Sequence, residues 1–302
     1  MNGKSAADGR YIVGMGEVLW DLLPEGRKIG GAPANFAYHV SQFGFPGRVA
    51  SAVGDDEPGA EILRDFARKG LGGVIETVPR PTGSVRVALD AAGVPRYEIR
   101  EDVAWDNIPF TSRLEELARR TRAVCFGSLA QRGAVSRRTI ARFLDAMPAG
   151  PDCYRVFDIN LRQEFYSEEV VRDSLRRCDV LKINDEELAI VGRMFGCPEL
   201  GAEGMCRKLL SEYGLRMLIL TCGVDGSYVF TPDGRSEAET PRVAAVDTVG
   251  AGDSFTASFL AGILAGRTVR EAHLLAADVS AYVCTQHGAM PRLPETLIRR
   301  IR

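Results

Sequence analysis

Residues 247–264 read DTVGAGDSFTASFLAGIL: two aspartates six residues apart, a pair of glycines between them, and an apolar run directly behind. The pattern predicts a helix with Asp253 at its mouth. A helix start presents free backbone N–H groups and the positive end of the peptide dipoles, and both favour an anion. Gly250 and Gly252 strip that backbone bare, so an anion can approach closely. Asp253 then stands where a carboxylate meets a hydroxyl held beside the anion. An anion hole with a general base next to it suits transfer of a phosphoryl group onto an alcohol. An acidic first-turn residue also complements the helix dipole without any chemistry, and loops often contain two glycines. Alone, the stretch supports both readings equally.

Other stretches carry candidate residues of the same kind. In GGAPANFAYHVSQFG, Gly30 and Gly31 precede a helix whose apolar face holds Ala37, Val40 and Phe43 and which Gly44 closes. Asn35 lies in its first turn, where an amide can donate and accept to sugar hydroxyls; a polar residue at a helix start is the plainer reading. In NDEEL, Asn184 and Glu187 have the spacing of a capping box, or of indirect support for Mg2+ and phosphates through water. Thr221, Gly223 and Gly226 in LTCGVDGSYVF lie between two strands and read as a nucleotide cradle or as a hairpin turn. FDINLRQ puts Asp158, Asn160 and Arg162 beyond a buried strand. Arg162 is placed to clamp an anion or hydroxyl, or to pair with a surface acid.

The elements that must position these residues are legible as short apolar runs: YIVGMG, AVCFGS, RVFDIN, VLKIN, MLILTCG and SYVF. Helical patterns lie between several of them. PGAEILRDFARKG starts on Pro58, groups Ile62, Leu63, Phe66 and Ala67 on one face, and stops at Gly70. SEEVVRDSLRRC opens on Ser167 and buries Val170, Val171, Ser174 and Leu175. Strands alternating with helices predict a parallel sheet covered on both faces. In such sheets ligands bind beyond the carboxyl ends of the strands, where this chain places Gly127, Ser128, Asp158, Asn160, Asn184 and Thr221. GSVRVALDAAGVPRYEIR breaks the pattern. Val85, Val87 and Leu89 alternate with Ser84, Arg86 and Asp90, then Tyr97 and Ile99 resume after AAGVP, which predicts an antiparallel hairpin with one wet face. Residues 80–105, with part of 17–31, form a small strand layer apart from the main sheet. No repeat, low-complexity segment or linker divides the 302 residues.

Composition narrows the function classes. A net charge of −2 and a pI near 6.0 give no electrostatic case for nucleic acid or an anionic membrane. Seven scattered cysteines without C-x-x-C, and three unpaired histidines, argue against zinc and for reduced thiols in the cytoplasm. The N-terminus has no apolar signal core, and the softest stretch, 255–266, is too short to span a bilayer. A P-loop, an early dinucleotide fingerprint and a nucleophile elbow are all absent.

Taken together, the stretches resemble the ribokinase (PfkB) family of sugar and nucleoside kinases over nearly the whole chain. The resemblance rests on Gly30-Gly31 with Asn35, Asn184 with Glu187, Thr221-Cys222-Gly223, and above all DTVGAGDSF. GEVLWDLLPEG, FGSLAQR, NLRQEFY and GAMPRLP are most similar to bacterial fructokinases. The resemblance implies an α/β fold, a three-layer α/β/α sandwich with a central, mostly parallel sheet, as one domain over 1–302. The layer around 17–31 and 80–105 would be its lid, which in relatives often clasps the lid of a second subunit. It implies transfer from ATP, with Mg2+, to a sugar, with D-fructose to fructose 6-phosphate expected and ribose, 2-keto-3-deoxygluconate or a nucleoside as alternatives. Asp253 would be the base, and Gly250, Ala251 and Gly252 would hold the phosphoryl group. Asp21, Gly31, Asn35 and Arg162 would bind the sugar. Asn184 and Glu187 would organise Mg2+ and phosphates, and Thr221, Gly223, Gly226 and Gly252 would line the nucleotide site. Many relatives bind a monovalent cation, potassium, through positions matching Asp247, Val249, Val283, Gln286 and Gly288. Where they tend to have a small residue, this chain has Arg292, whose guanidinium would repel or replace that ion. Tyr97 and Trp105 read as lid contacts that set specificity, or by default as core aromatics. A non-catalytic sugar-binding protein and a nicotinamide oxidoreductase are the rival classes; the intact Asp253 and glycines oppose the first, the missing fingerprint the second.

Overall fold

The computed structural model describes residues 9–23, 26–89 and 95–301. The chain begins with β1 (Tyr11–Met15), leaves the main body for β2 (Leu19–Leu23) and β3 (Gly26–Gly30), and returns through α1 (Ala32–Gln42) to β4 (Gly47–Gly54). Helix α2 (Glu57–Arg68) and β5 (Gly72–Val78) follow, then β6 (Gly83–Leu89) and β7 (Pro95–Ile99). Alternation resumes with α3 (Ser112–Arg119), β8 (Thr121–Phe126), α4 (Ala134–Ala146), β9 (Tyr154–Asp158), α5 (Glu168–Arg177), β10 (Val180–Asn184), α6 (Asp185–Met194), α7 (Ala202–Glu212) and β11 (Met217–Thr221). A meander of β12 (Ser227–Thr231) and β13 (Gly234–Ala238) precedes α8 (Ala251–Leu264), α9 (Val269–Cys284) and the short α10 (Glu295–Ile298).

The main sheet has nine strands in the order β13-β12-β11-β10-β9-β8-β1-β4-β5. It is parallel from β11 to β5 and antiparallel only at β12 and β13. Its side chains alternate between two cores. Val13, Val124, Phe157, Leu181 and Leu218 pack with helices α3 to α7 on one face. Ile12, Cys125, Val156, Val180 and Ile219 pack with α1, α8 and α9 on the other. Burial on both faces explains why these strands read as continuous apolar runs. The order runs outward from β1 in both directions, so the topological switch lies at β1 and β8, the crevice where open α/β sheets bind ligands.

Helix α5 buries Val170, Val171, Ser174 and Leu175 as expected, with the Ser167 hydroxyl accepting from the Val170 N–H at 3.3 Å. Helix α2 differs from expectation. Gly59, Ile62 and Phe66 are its buried residues, while Leu63 and Ala67 are exposed. It lies at the β5 end of the sheet, where Leu63 and Ala67 border an open groove of about 390 Å³, so only a narrow stripe meets the core.

The second sheet has the order β3-β2-β6-β7. Its two hairpins are antiparallel and meet in a parallel pairing of β2 with β6. The expected hairpin is therefore present, but the layer is tighter than 17–31 and 80–105. Glu17 and Val18 are buried at the end of β1, 3% and 0% exposed, and residues 104–107 form a 3₁₀ turn. Trp105 in that turn is fully buried. It packs in the main core, where the Arg132 guanidinium stacks over it at 4.1 Å, lies against Phe165 and grips Asp106 through two hydrogen bonds, and its indole also abuts Gly83 of β6. Residues 90–94, which hold most of the turn AAGVP, and the Tyr97 side chain lie outside the described residues. All seven cysteines are free thiols, and among the described residues no helix is long and apolar enough to cross a membrane.

Candidate active site

The α8 start is built around Gly250, its N-cap, which takes the left-handed conformation at φ 80°. A β-carbon there would sit 2.6 Å from the Ala289 Cβ and 2.7 Å from its Cα. Ala289 cannot retreat, because helix α1 pins its loop. The buried His39 ring meets the Ala289 carbonyl at 2.8 Å, and the Gln42 amide reaches Pro291 and Leu293. Burial pushes His39 down to about 4, so its ring is neutral, and since a carbonyl only accepts, Nε2 carries the proton. Gly250→Ala is expected to destabilise the protein by about 2–4 kcal/mol, from left-handed strain plus overpacking. A thermal scan with an unchanged midpoint would overturn this account of the loop. At Gly252 a β-carbon would meet only the Lys182 ammonium, at 3.2 Å, the end of a flexible chain.

Helices α1 and α8 pack together, which joins the two motifs that the sequence holds apart. The Asn35 amide nitrogen donates to the Asp253 carboxylate at 2.7 Å. Burial raises Asp253 to about 6, with the nearby Asp158 charge adding to the rise and Asn35, Lys182 and Arg162 opposing it. A carboxylate near neutrality suits a general base. Gly31 caps α1 at φ 116°, and a side chain there would strike the Glu17 carbonyl oxygen. Arg162 is exposed and donates to its neighbour's carbonyl at Leu161; its charge is felt at Asp253 and Glu17.

Asp21 lies on β2 opposite Lys28 of β3. Burial raises it to about 6, Lys28 working against the rise and Asp247 adding to it. Lys28 also approaches Asp247 at 3.9 Å, so the small sheet and the loop before α8 share a cation. The Asp247 carboxylate accepts from the Val249 and Gly288 N–H groups, each at 3.0 Å. The Asp247 and Val246 N–H groups donate to the Cys284 carbonyl, and Gln286 donates to that of Val283. Asp247, Val249, Val283, Gln286 and Gly288 are thus drawn together where the loop before α8 meets the end of α9. Arg292 is exposed, and its charge acts on the Tyr38 hydroxyl.

Asn184 and Glu187 form the capping box of α6. Both Glu187 oxygens are engaged, one by the Asn184 N–H and one by the Leu161 N–H, at 3.0 Å each. Thr221 ends β11, and Gly223 and Gly226 make the turn into β12. Val224 in that turn is 88% exposed, and Val243, Val246 and Val249 are exposed as well. Thr240 ties the two segments together by donating to the Gly223 carbonyl. Val224 and Val243 are exposed apolar side chains on the two joined segments that sequence reasoning missed.

Lys182 was also missed. Its ammonium lies 3.3 Å from Asp158, and Thr256 donates to the other Asp158 oxygen at 3.0 Å. Burial works against the charge on Lys182, and Asp158, Glu187 and Asp253 together outweigh it, so the side chain is held protonated. The signal was in VLKIN: a strand buried on both faces carried a lysine where an apolar side chain belonged. An open cavity of about 420 Å³ bounded by Arg132 and Phe165 shares no residue with this cluster.

Among the described residues no group of three or more His, Cys, Asp or Glu is arranged to enclose a metal. With one backbone amide on each Glu187 oxygen, the donor set fits a Mg2+ ion carried by nucleotide phosphates and water rather than by a protein cage.

A family model described as pfkB family carbohydrate kinase matches residues 25–296. A fructokinase of Klebsiella pneumoniae is 30% identical over 313 aligned positions, covering 97% of both chains. The structure of a Xylella fastidiosa fructokinase with bound ATP superposes with a TM-score of 0.85 at 21% identity, over 97% of this chain and 98% of that one. A Vibrio cholerae O395 fructokinase variant holding fructose, ADP and a potassium ion gives 0.79 at 21% identity, over 99% of each chain. The three-layer α/β architecture is that of ribokinase-like kinases.

Proposed function

Because the chain belongs to the PfkB family of carbohydrate kinases, we propose that it transfers the γ-phosphoryl group of ATP to D-fructose, giving fructose 6-phosphate. The observation that carries the reading is Asp253: a carboxylate raised to about 6, fixed by Asn35, in the first turn of α8, whose N-terminus no side chain caps. Fructose as the sugar rests on the relatives named as fructokinases.

The sugar lies among Asp21, Gly31, Asn35 and Arg162, with its hydroxyl on Asp253. Asp253 takes the hydroxyl proton as the oxygen bonds to the γ-phosphorus, the bond to the β-phosphate oxygen breaks, and ADP leaves. The N–H groups from Gly250 to Gly252 donate to the phosphoryl oxygens, and one such donor is worth roughly 3–4 kcal/mol. Lys182 adds positive charge behind them. Thr221, Gly223 and Gly226 hold the nucleotide, with its base against Val224 and Val243. Mg2+, when bound with the phosphates, neutralises their charge, and Asn184 and Glu187 orient its surroundings. A potassium ion, as held by the Vibrio cholerae relative, suits the junction of the loop before α8 with the end of α9, which carries Asp247, Val249, Val283, Gln286 and Gly288, with Lys28 as its competitor. The small sheet acts as a lid that closes over the sugar and excludes water.

A panel of D-fructose, ribose, 2-keto-3-deoxygluconate and nucleosides, read by ADP release, tests the substrate. Fructose is expected to give the highest kcat/KM. A higher value for another sugar reassigns the substrate, and ATP binding without turnover on any member overturns the kinase reading.

A further inference from the structure

Glu17 follows β1 at the topological switch point and takes no part in the steps above. It is 3% exposed, and its Oε2 has no hydrogen-bond partner among the described residues. The same is true of the Asn35 Oδ1, on the amide whose nitrogen is committed to Asp253. The two orphans belong to one neighbourhood, because the first turn of α1 lies directly on Glu17: the Gly31 Cα faces its carbonyl and the Ala32 N–H reaches its carboxyl. Both orphans are acceptors as long as Glu17 is ionised. Leaving two buried acceptors unmet is costly, and one proton supplies the missing donor.

We propose that Glu17 is a positioning residue that carries a proton in the working enzyme, and that this proton fixes the Asn35 amide with its nitrogen toward Asp253. The inference rests on the sugar-kinase reading for its catalytic consequence. An amide has two nearly equivalent orientations; the ionised Asp253 carboxylate, which can only accept, draws Nδ2, and a donor facing Oδ1 holds that same orientation once Asp253 has taken its proton. The groups around Glu17 agree. Burial raises it to about 7; its own backbone N–H, Arg162 and the Ala32 N–H oppose the rise, and Asp253 from α8 adds to it. Cys125 on β8, which also faces this cluster, is buried and held as a neutral thiol well above its usual range. Lys182 and Asp158 act on Asp253 from β10 and β9.

Three variants separate this from a packing role. Wild-type kcat/KM for the sugar is expected to fall about tenfold between pH 7 and 8.5 as Glu17 ionises. Glu17→Gln keeps a permanent donor and is expected to lose that alkaline decline. Glu17→Leu is expected to be about tenfold poorer or worse at every pH, and Glu17→Gln to recover most of that loss. A Glu17→Gln profile with the wild-type alkaline limb overturns the proposal, and so does a flat wild-type profile from pH 7 to 9, whatever the variants do. A second readout needs no substrate. The folded-state value lies above the unfolded one, so ionised Glu17 destabilises the fold at high pH, and the penalty disappears below the unfolded value. Glu17→Gln should therefore melt above wild type at pH 8.5 and level with it near pH 4.5. A difference that does not vary with pH overturns the protonation. If no sugar turns over, the melting result still stands; if sugar turns over and the melting difference is constant, only the Glu17 inference falls.

Discussion

Asp253→Asn is expected to lower kcat at pH 7 by about 10²–10⁴, the usual worth of a general base, while ATP binds as tightly as before. The amide keeps the shape and can still bond to Asn35, but it cannot take a proton from the sugar hydroxyl. The same substitution should make the protein more stable. The folded-state value of Asp253, about 6 against an ordinary 3.8, is raised, so the unfolded chain holds its proton less tightly. The ionised carboxylate therefore weakens the fold above pH 6, and the deficit is relieved as pH falls toward 3.8. The uncharged amide of the variant escapes it. A gain on the order of 1–3 kcal/mol is expected at pH 8, closing by pH 4. Near-wild-type turnover would remove Asp253 from the chemistry, and a variant no more stable at pH 8 than at pH 4 would contradict its raised value.

Lys182→Met is expected to harm both stability and turnover. It leaves Asp158, 9% exposed at its side chain, buried without its cation, which typically costs about 3–5 kcal/mol. It also strips positive charge from behind the phosphoryl cradle. Lys182 is one of the groups holding the Asp253 value down, so its loss should move the acid limb of the rate profile to higher pH. A packing residue would lower the melting point without moving that limb. Thermal scans and pH–rate profiles of the variant separate the two, and an unmoved limb would deny Lys182 any electrostatic role at the base.

The fold was legible wherever burial left a period in the sequence. The strands read as apolar runs because helices cover both faces of the sheet, and the α5 pattern matched its buried residues one for one. Helix α2 misled because it lies at a sheet end, where fewer positions meet the core than its apolar pattern offers. Residues 80–105 read as one strand layer, and Trp105 at its end packs in the main core, as an aromatic does by default. The site was legible as separate helix starts, and the capping box of Asn184 and Glu187 was visible in full. What a linear reading could not supply was the meeting of Asn35 with Asp253 across 218 positions. That contact depends on α1 and α8 covering the same face of the sheet. Lys182 and Glu17 were overlooked for a related reason: each is a charged residue inside an apolar run, and its purpose is set by neighbours from other strands.

The most direct test of the account is the pH dependence of kcat between pH 5 and 7, at saturating MgATP and saturating concentrations of whichever sugar turns over. Wild-type kcat is expected to rise about tenfold per pH unit and level off near pH 6, where Asp253 loses its proton. Asp253→Asn should show only a low rate without that limb. A wild-type rate flat from pH 7 down to 5, or the same limb surviving in Asp253→Asn, would contradict the assignment of Asp253 as the base.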